Sequence, residues 1–198
     1  MKYGDLALKK MEEDPVRSPR EISLTAHFQP ILSLKNRTVV GYEGLIRGVR
    51  EQEGGLLVPP VSLFETAKAE DRLVEMDRQC RDTILDLFAA CPRAEDNFLL
   101  FINFESSLLD DLGSQNGYFL NQVARRHINP ADVVIEIIES KVARLSNLLR
   151  FVEFYRYHGF LIALDDVGVG FSNFDRLAAL KPDIIKIDRS IVKNMEKD

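Results

Sequence analysis

Short apolar runs separated by longer amphipathic segments set the rhythm of this chain. From residue 25 onward, runs of strand length recur at AHFQPILSL (26–34), TVVGYEGLIR (38–47), FLLFINF (98–104), VVIEIIE (133–139), FLIALDD (160–166) and DIIKIDR (183–189). They are rich in β-branched and aromatic residues and short enough for buried strands. Between them, residues 61–90 carry apolar positions at helical spacing over two segments, and residues 117–126 and 141–157 do so more briefly. Phe174, Leu177 and Leu180 form one stripe within 171–180. Strand and helix in alternation predict a parallel sheet with helices packed on it.

The first connection departs from that rule. Only Lys35, Asn36 and Arg37 separate the first two runs, too few for a crossover helix, so this pair is expected as an antiparallel hairpin. The later strand–helix repeats suit a (β/α) barrel better than a doubly wound sheet, and no GxGxxG follows the first strand. The expected fold class is α/β: a TIM-type (β/α) barrel with an antiparallel first strand. A closed barrel of this type has eight strands and about 250 residues. Six strands are read here, so the barrel is expected to be incomplete, about six of eight, without its last two. Residues 1–22 read as an N-terminal helical leader and Pro-punctuated linker, and residues 23–198 as the domain.

Composition narrows the function classes. A chain of 198 residues, 45% hydrophobic, suits one globular domain. A net charge of -5 with no long basic run argues against binding a nucleic-acid duplex. The two cysteines, Cys80 and Cys91, are too few for a disulfide framework, and no window approaches a membrane span. A cytoplasmic location is expected. A sixth strand without a neighbour would expose a sheet edge, so self-association is expected too.

Strand alternation places the polar candidates. Glu43, Leu45 and Arg47 share a face, as do Phe101 and Asn103, Glu136 and Ile138, and Lys186 and Asp188, while Asp165 and Asp166 close the fifth strand. In a (β/α) barrel, polar residues at C-terminal strand ends converge on one mouth. Carboxylate and amide oxygens without His or Cys are hard ligands, suited to Mg²⁺ or Mn²⁺ rather than zinc. Two such ions about 3.5–4 Å apart are the usual arrangement for phosphodiester hydrolysis. Arg47 is placed to hold a substrate phosphate and Lys186 to orient the attacking water. Gly168 and Gly170 allow a tight bend beside the ions. Taken singly, Glu43 with Arg47 also reads as a structural ion pair, and Asp165 with Asp166 as a strand-end turn or cap. Their joint placement on successive strands favours the metal site.

The motifs FQPILSL, YEGLIR, INFES, EIIES, LDDVGVGFSN and IKIDRSIV, in this order, resemble the EAL domain family of bacterial cyclic di-GMP phosphodiesterases. That family has a (β/α)8 barrel with an antiparallel first strand. The resemblance implies hydrolysis of cyclic di-GMP to linear pGpG with two divalent ions. It implies Glu43 as signature glutamate and metal ligand, here in EGL form, with Asn103, Glu136 and Asp165 as further ligands. Asp166 would bridge to the second metal, Lys186 would contact the catalytic water, and Glu139 would brace the loop beginning at Asp165. Gln29, Arg47 and Asp188 would bind substrate. The resemblance also implies an upstream sensor or GGDEF domain as companion.

Departures from the family pattern fall at Ile138, Glu105, Val167, Val169, Phe171 and Asn173. With the last two strands missing, the 198-residue chain alone is expected to be impaired. The rival reading is a non-catalytic module that binds cyclic di-GMP or a protein partner.

Overall fold

The computed structural model describes residues 22–91, 98–105, 116–138, 144–168 and 174–194. The leader expected before residue 22, Glu139, and the loop positions 169–173 lie outside the described residues.

Strand β1 (Ser23–Ser33) turns through residues 34–37 into β2 (Thr38–Arg50), and the two pair antiparallel as expected, Gln29 opposite Glu43. Next come β3 (Leu56–Val58), α1 (Pro60–Ala69), α2 (Leu73–Ala90) and β4 (Leu99–Asn103). The chain continues through α3 (Asn116–Arg125), β5 (Val133–Ile137), α4 (Leu145–Tyr157), β6 (Leu161–Val167), α5 (Phe174–Leu180), β7 (Ile184–Ile187) and α6 (Arg189–Asn194). Strands β2, β4, β5, β6 and β7 pair parallel in that order, with β1 and β7 at the two ends of the path. This is the parallel sheet of a TIM-type α/β fold with an antiparallel first strand. Among the described residues the path is open, since β1 and β7 do not pair with each other.

Strand β3 was not expected. It pairs with Gly48–Arg50 at the end of β2, after the chain reverses through Gly54 and Gly55, whose φ angles of 71° and 81° suit glycine. Three residues with Leu56 and Leu57 exposed leave no alternation to read. The helical stretch 61–90 divides at Asp71, which takes a left-handed φ of 55° between α1 and α2. Pro60 opens α1 at its first turn, where a missing N–H costs nothing.

The two faces of the sheet pack differently. The larger core lies between the outer face and the helices, where Ile102, Ile135 and Ile162 meet Ile84, Leu85, Leu148 and Tyr155. Gly44 lets α2 approach, because a Cβ there would collide with Ile84. The inner face holds a smaller cluster of Phe101, Val134 and Ala163, with Ile31, Leu99, Leu161 and Ile184 against it. This inner cluster is the floor under the polar residues described next. Among the described residues no helix is long and apolar enough to cross a membrane.

Candidate functional site

Each polar candidate stands one pleat beyond a floor position: Asn103 beyond Phe101, Glu136 beyond Val134, Asp165 beyond Ala163 and Lys186 beyond Ile184. The period of two sends them to the same face, toward the C-terminal strand ends. Glu43 follows Gly41 in the same way, and Gly41 pairs with Leu99 of the floor. The Lys186 ammonium lies 2.6 Å from Glu136 Oε1, 3.1 Å from Glu43 Oε2 and 3.5 Å from Asp165 Oδ2. Asn103 Nδ2 donates to Glu43 Oε1 at 3.0 Å. Five residues from five strands thus meet, as strand alternation predicted.

The electrostatics are those of crowded acids around one cation. The Glu136 side chain is fully buried, and burial pushes its carboxyl up to about 7; Lys186 opposes the rise, while Glu43 and Asp165 add to it. Burial works against the Lys186 ammonium, but Glu136, Glu43 and Asp165 together hold its pKa above the usual lysine value. Lys186 therefore remains charged and offsets the three acids. Apart from the Lys186 ion pair, neither buried Glu136 oxygen meets a hydrogen-bond donor among the described residues. Buried, undirected carboxylate oxygens beside Glu43, Asp165 and an amide fit a hard divalent cation. As the side chains stand, no three acids among the described residues are drawn tightly enough to enclose an ion. Binding would require Lys186 to give way or the acids to close in.

The other candidates sit in different local settings. Strand β6 carries an irregularity between Leu164 and Val167 where it pairs with β7. At this bulge Asp166 adopts a left-handed φ of 56° and is exposed, while Asp165 turns to Lys186. A bulge re-aims one side chain relative to the next, which is how two adjacent aspartates avoid facing each other. Arg47 Nη1 donates to the Ile46 carbonyl at 2.7 Å, and Glu43 pairs with Lys186. Gln29 is exposed on β1 opposite Glu43. Asp188 Oδ1 accepts from the Ser190 amide at 2.7 Å at the start of α6.

A second charged feature was not foreseen. The run KAEDRLVEMDRQCRD reads as a solvated helix face, and Asp77 either as a helix-surface acid or, by resemblance to the family, as an acid near the ligand; burial corrects the surface reading, since Asp77 and Arg81 are each only 3% exposed. They form an ion pair within α2. Burial raises the Asp77 pKa against the opposing pull of Arg81 and the Glu105 amide. The readable signal was their spacing, four apart on a stripe shared with Met76, Cys80, Ile84 and Phe88.

The chain also has relatives among known proteins. The sequence profile of the EAL domain matches residues 16–198. YkuI, an EAL-domain-containing protein of Bacillus subtilis, is 31% identical over 169 residues, which are 84% of this chain and 40% of YkuI. The crystal structure of YkuI, with substrate c-di-GMP and calcium, superposes with a TM-score of 0.72, covering 86% of this chain and 42% of that one. The cyclic di-GMP phosphodiesterase PdeL of Escherichia coli is 27% identical over 86% of this chain and 47% of its own length. Klebsiella pneumoniae BlrP1, as a calcium/cy-diGMP complex, gives a TM-score of 0.74 at 26% identity, over 87% of this chain and 42% of BlrP1. The chain therefore spans less than half the length of each of these relatives. Because the domain profile covers nearly the whole sequence, from residue 16 to residue 198, this chain belongs to the EAL domain family.

Proposed function

We propose that the protein carrying this chain hydrolyses cyclic di-GMP to linear pGpG with two divalent ions, Mg²⁺ or Mn²⁺. The observation that supports this reading best is the meeting of Glu43, Glu136 and Asp165, from three strands, around Lys186. Glu43, Asn103, Glu136 and Asp165 are the residues to hold the ions, with Asp166 at the edge of the set. The ions would neutralise the acids and supply an activated water. Attack of a water on one phosphodiester phosphorus would break the P–O3′ bond, with the freed oxygen taking a proton. Lys186 steadies the water and charge beside it, while Gln29, Arg47 and Asp188 hold the nucleotide. Two free thiols, Cys80 and Cys91, support a cytoplasmic setting.

Incubation with Mn²⁺ and cyclic di-GMP should release pGpG, and Asp165→Asn should slow turnover by about 10²–10³-fold or more. Calorimetry showing nucleotide binding without turnover would replace the enzyme by a receptor. Neither binding nor turnover would leave a protein-interaction role. With the path of described strands open between β1 and β7, turnover by the 198-residue chain is expected to be slow.

Self-association belongs to the same reading. Strand β7 leaves Ile185 and Ile187 exposed at 45% and 60% beside the open end of the sheet, the kind of apolar edge that recruits another chain. Light scattering on the 198-residue chain should show mass rising with concentration; a constant monomer mass would refute this.

A further inference from the structure

The Asp77–Arg81 pair lies on a helix, away from the acids, but it touches the two residues that follow Asn103. Asp77 Oδ1 accepts from the Glu105 amide at 3.4 Å. The Arg81 guanidinium lies 4.3 Å above the Phe104 ring and 5.5 Å from that of Phe119. Phe104 is clamped further by edge-on contacts with Phe119, Phe151 and Tyr155, and its amide donates to the Glu136 carbonyl at 3.0 Å. Asn103 ends β4, so its backbone is set on one side by the sheet and on the other by this grip on residues 104 and 105.

A cation buried between a carboxylate and aromatic faces holds its position through both. Holding Asn103 in turn fixes where its amide meets Glu43. We infer that Asp77 and Arg81 are positioning residues for Asn103, tuning through it the affinity of the strand-end cluster for its cation. The role in cation affinity rests on the proposed phosphodiesterase site; the positioning of Asn103 does not.

The test follows the Asn103 side-chain amide of the full chain by ¹⁵N NMR, assigned by its loss in Asn103→Ala, alongside Ca²⁺ affinity from calorimetry. In Asp77→Asn the amide signal should shift or broaden, and the Ca²⁺ dissociation constant should rise about tenfold to hundredfold, as for other residues that orient ligands. Leu63→Ala supplies a destabilised control, since Leu63 is a buried residue of α1. It should lower the melting temperature while leaving both readings at wild type. The inference is overturned if Asp77→Asn only lowers the melting temperature, or if Leu63→Ala at equal melting loss moves the readings as far. Should Asp77→Asn fail to fold, Arg81→Lys retains the charge, loses the planar face and is held to the same outcomes. If the wild type binds no Ca²⁺, the role in cation affinity fails, and the amide signal decides the positioning by itself.

Discussion

Lys186→Met should lower the stability of the cation-free protein by about 3–5 kcal/mol at pH 8 and by clearly less at pH 5.5. The ammonium is the near neighbour of three carboxylates, one of them on a side chain with no exposure. Removing it leaves one fully buried acid and two partly exposed ones without a partner charge, which costs far more than losing a surface pair. The pH dependence follows from Glu136. Lys186 is the one charge that lowers its pKa, so the substitution moves the group further above its ordinary value. A carboxyl whose folded pKa is raised binds its proton more tightly folded than unfolded. Its stabilising effect is complete below the unfolded pKa and is lost as pH rises through the folded one. The deficit of Lys186→Met therefore opens with rising pH, and urea melts at the two pH values measure it. Divalent cation should narrow the gap at pH 8, because binding to the folded state alone stabilises it. Equal deficits at both pH values would show that Lys186 does not carry the charge balance of the site.

Much of this arrangement could be read before any coordinates. Parallel strands buried on both faces leave dense apolar runs, and an interruption by Glu43, Asn103, Glu136, Asp165 or Lys186 near a strand end stands out. The period of two then assigns these residues to one face. What escaped were features set by non-local geometry. The bulge before Val167 changes the direction of Asp166 without leaving a mark in LDDV. Strand β3 owes its existence to pairing with Gly48–Arg50 rather than to its own pattern. Asp77 and Arg81 hide in a charge-rich helix, because the aromatic rings that bury them come from residues 104 and 119, distant in sequence. The backbone contacts that Arg47 makes with Ile46 and Asp188 with Ser190 are likewise set by local geometry that the strand pattern does not carry.

Cation affinity should fall roughly twentyfold to thirtyfold between pH 7.5 and pH 5.5, with most of the change below pH 7. A carboxyl must be ionised to coordinate a hard cation, and Glu136 is held at about 7 chiefly by burial. Above that value most molecules present the carboxylate; each pH unit below it removes close to a factor of ten. The sign is opposite to the stability effect of the same group. Rising pH makes the cation-free protein less stable, because a buried charge appears, and makes the protein a better cation ligand for the same reason. Ca²⁺ titrations by calorimetry in buffers of different ionisation enthalpy resolve the linkage, with close to one proton released per site at pH 6. Glu136→Gln should bind more weakly at pH 7.5 but show a nearly flat profile down to pH 6, because the group that titrates there is gone. A wild-type profile equally flat over that interval would remove Glu136 from the ligand set. The titration also separates Glu136 from Asp77, whose charge is balanced by Arg81 in α2. Asp77→Asn should shift the affinity at every pH and leave the shape of the profile unchanged.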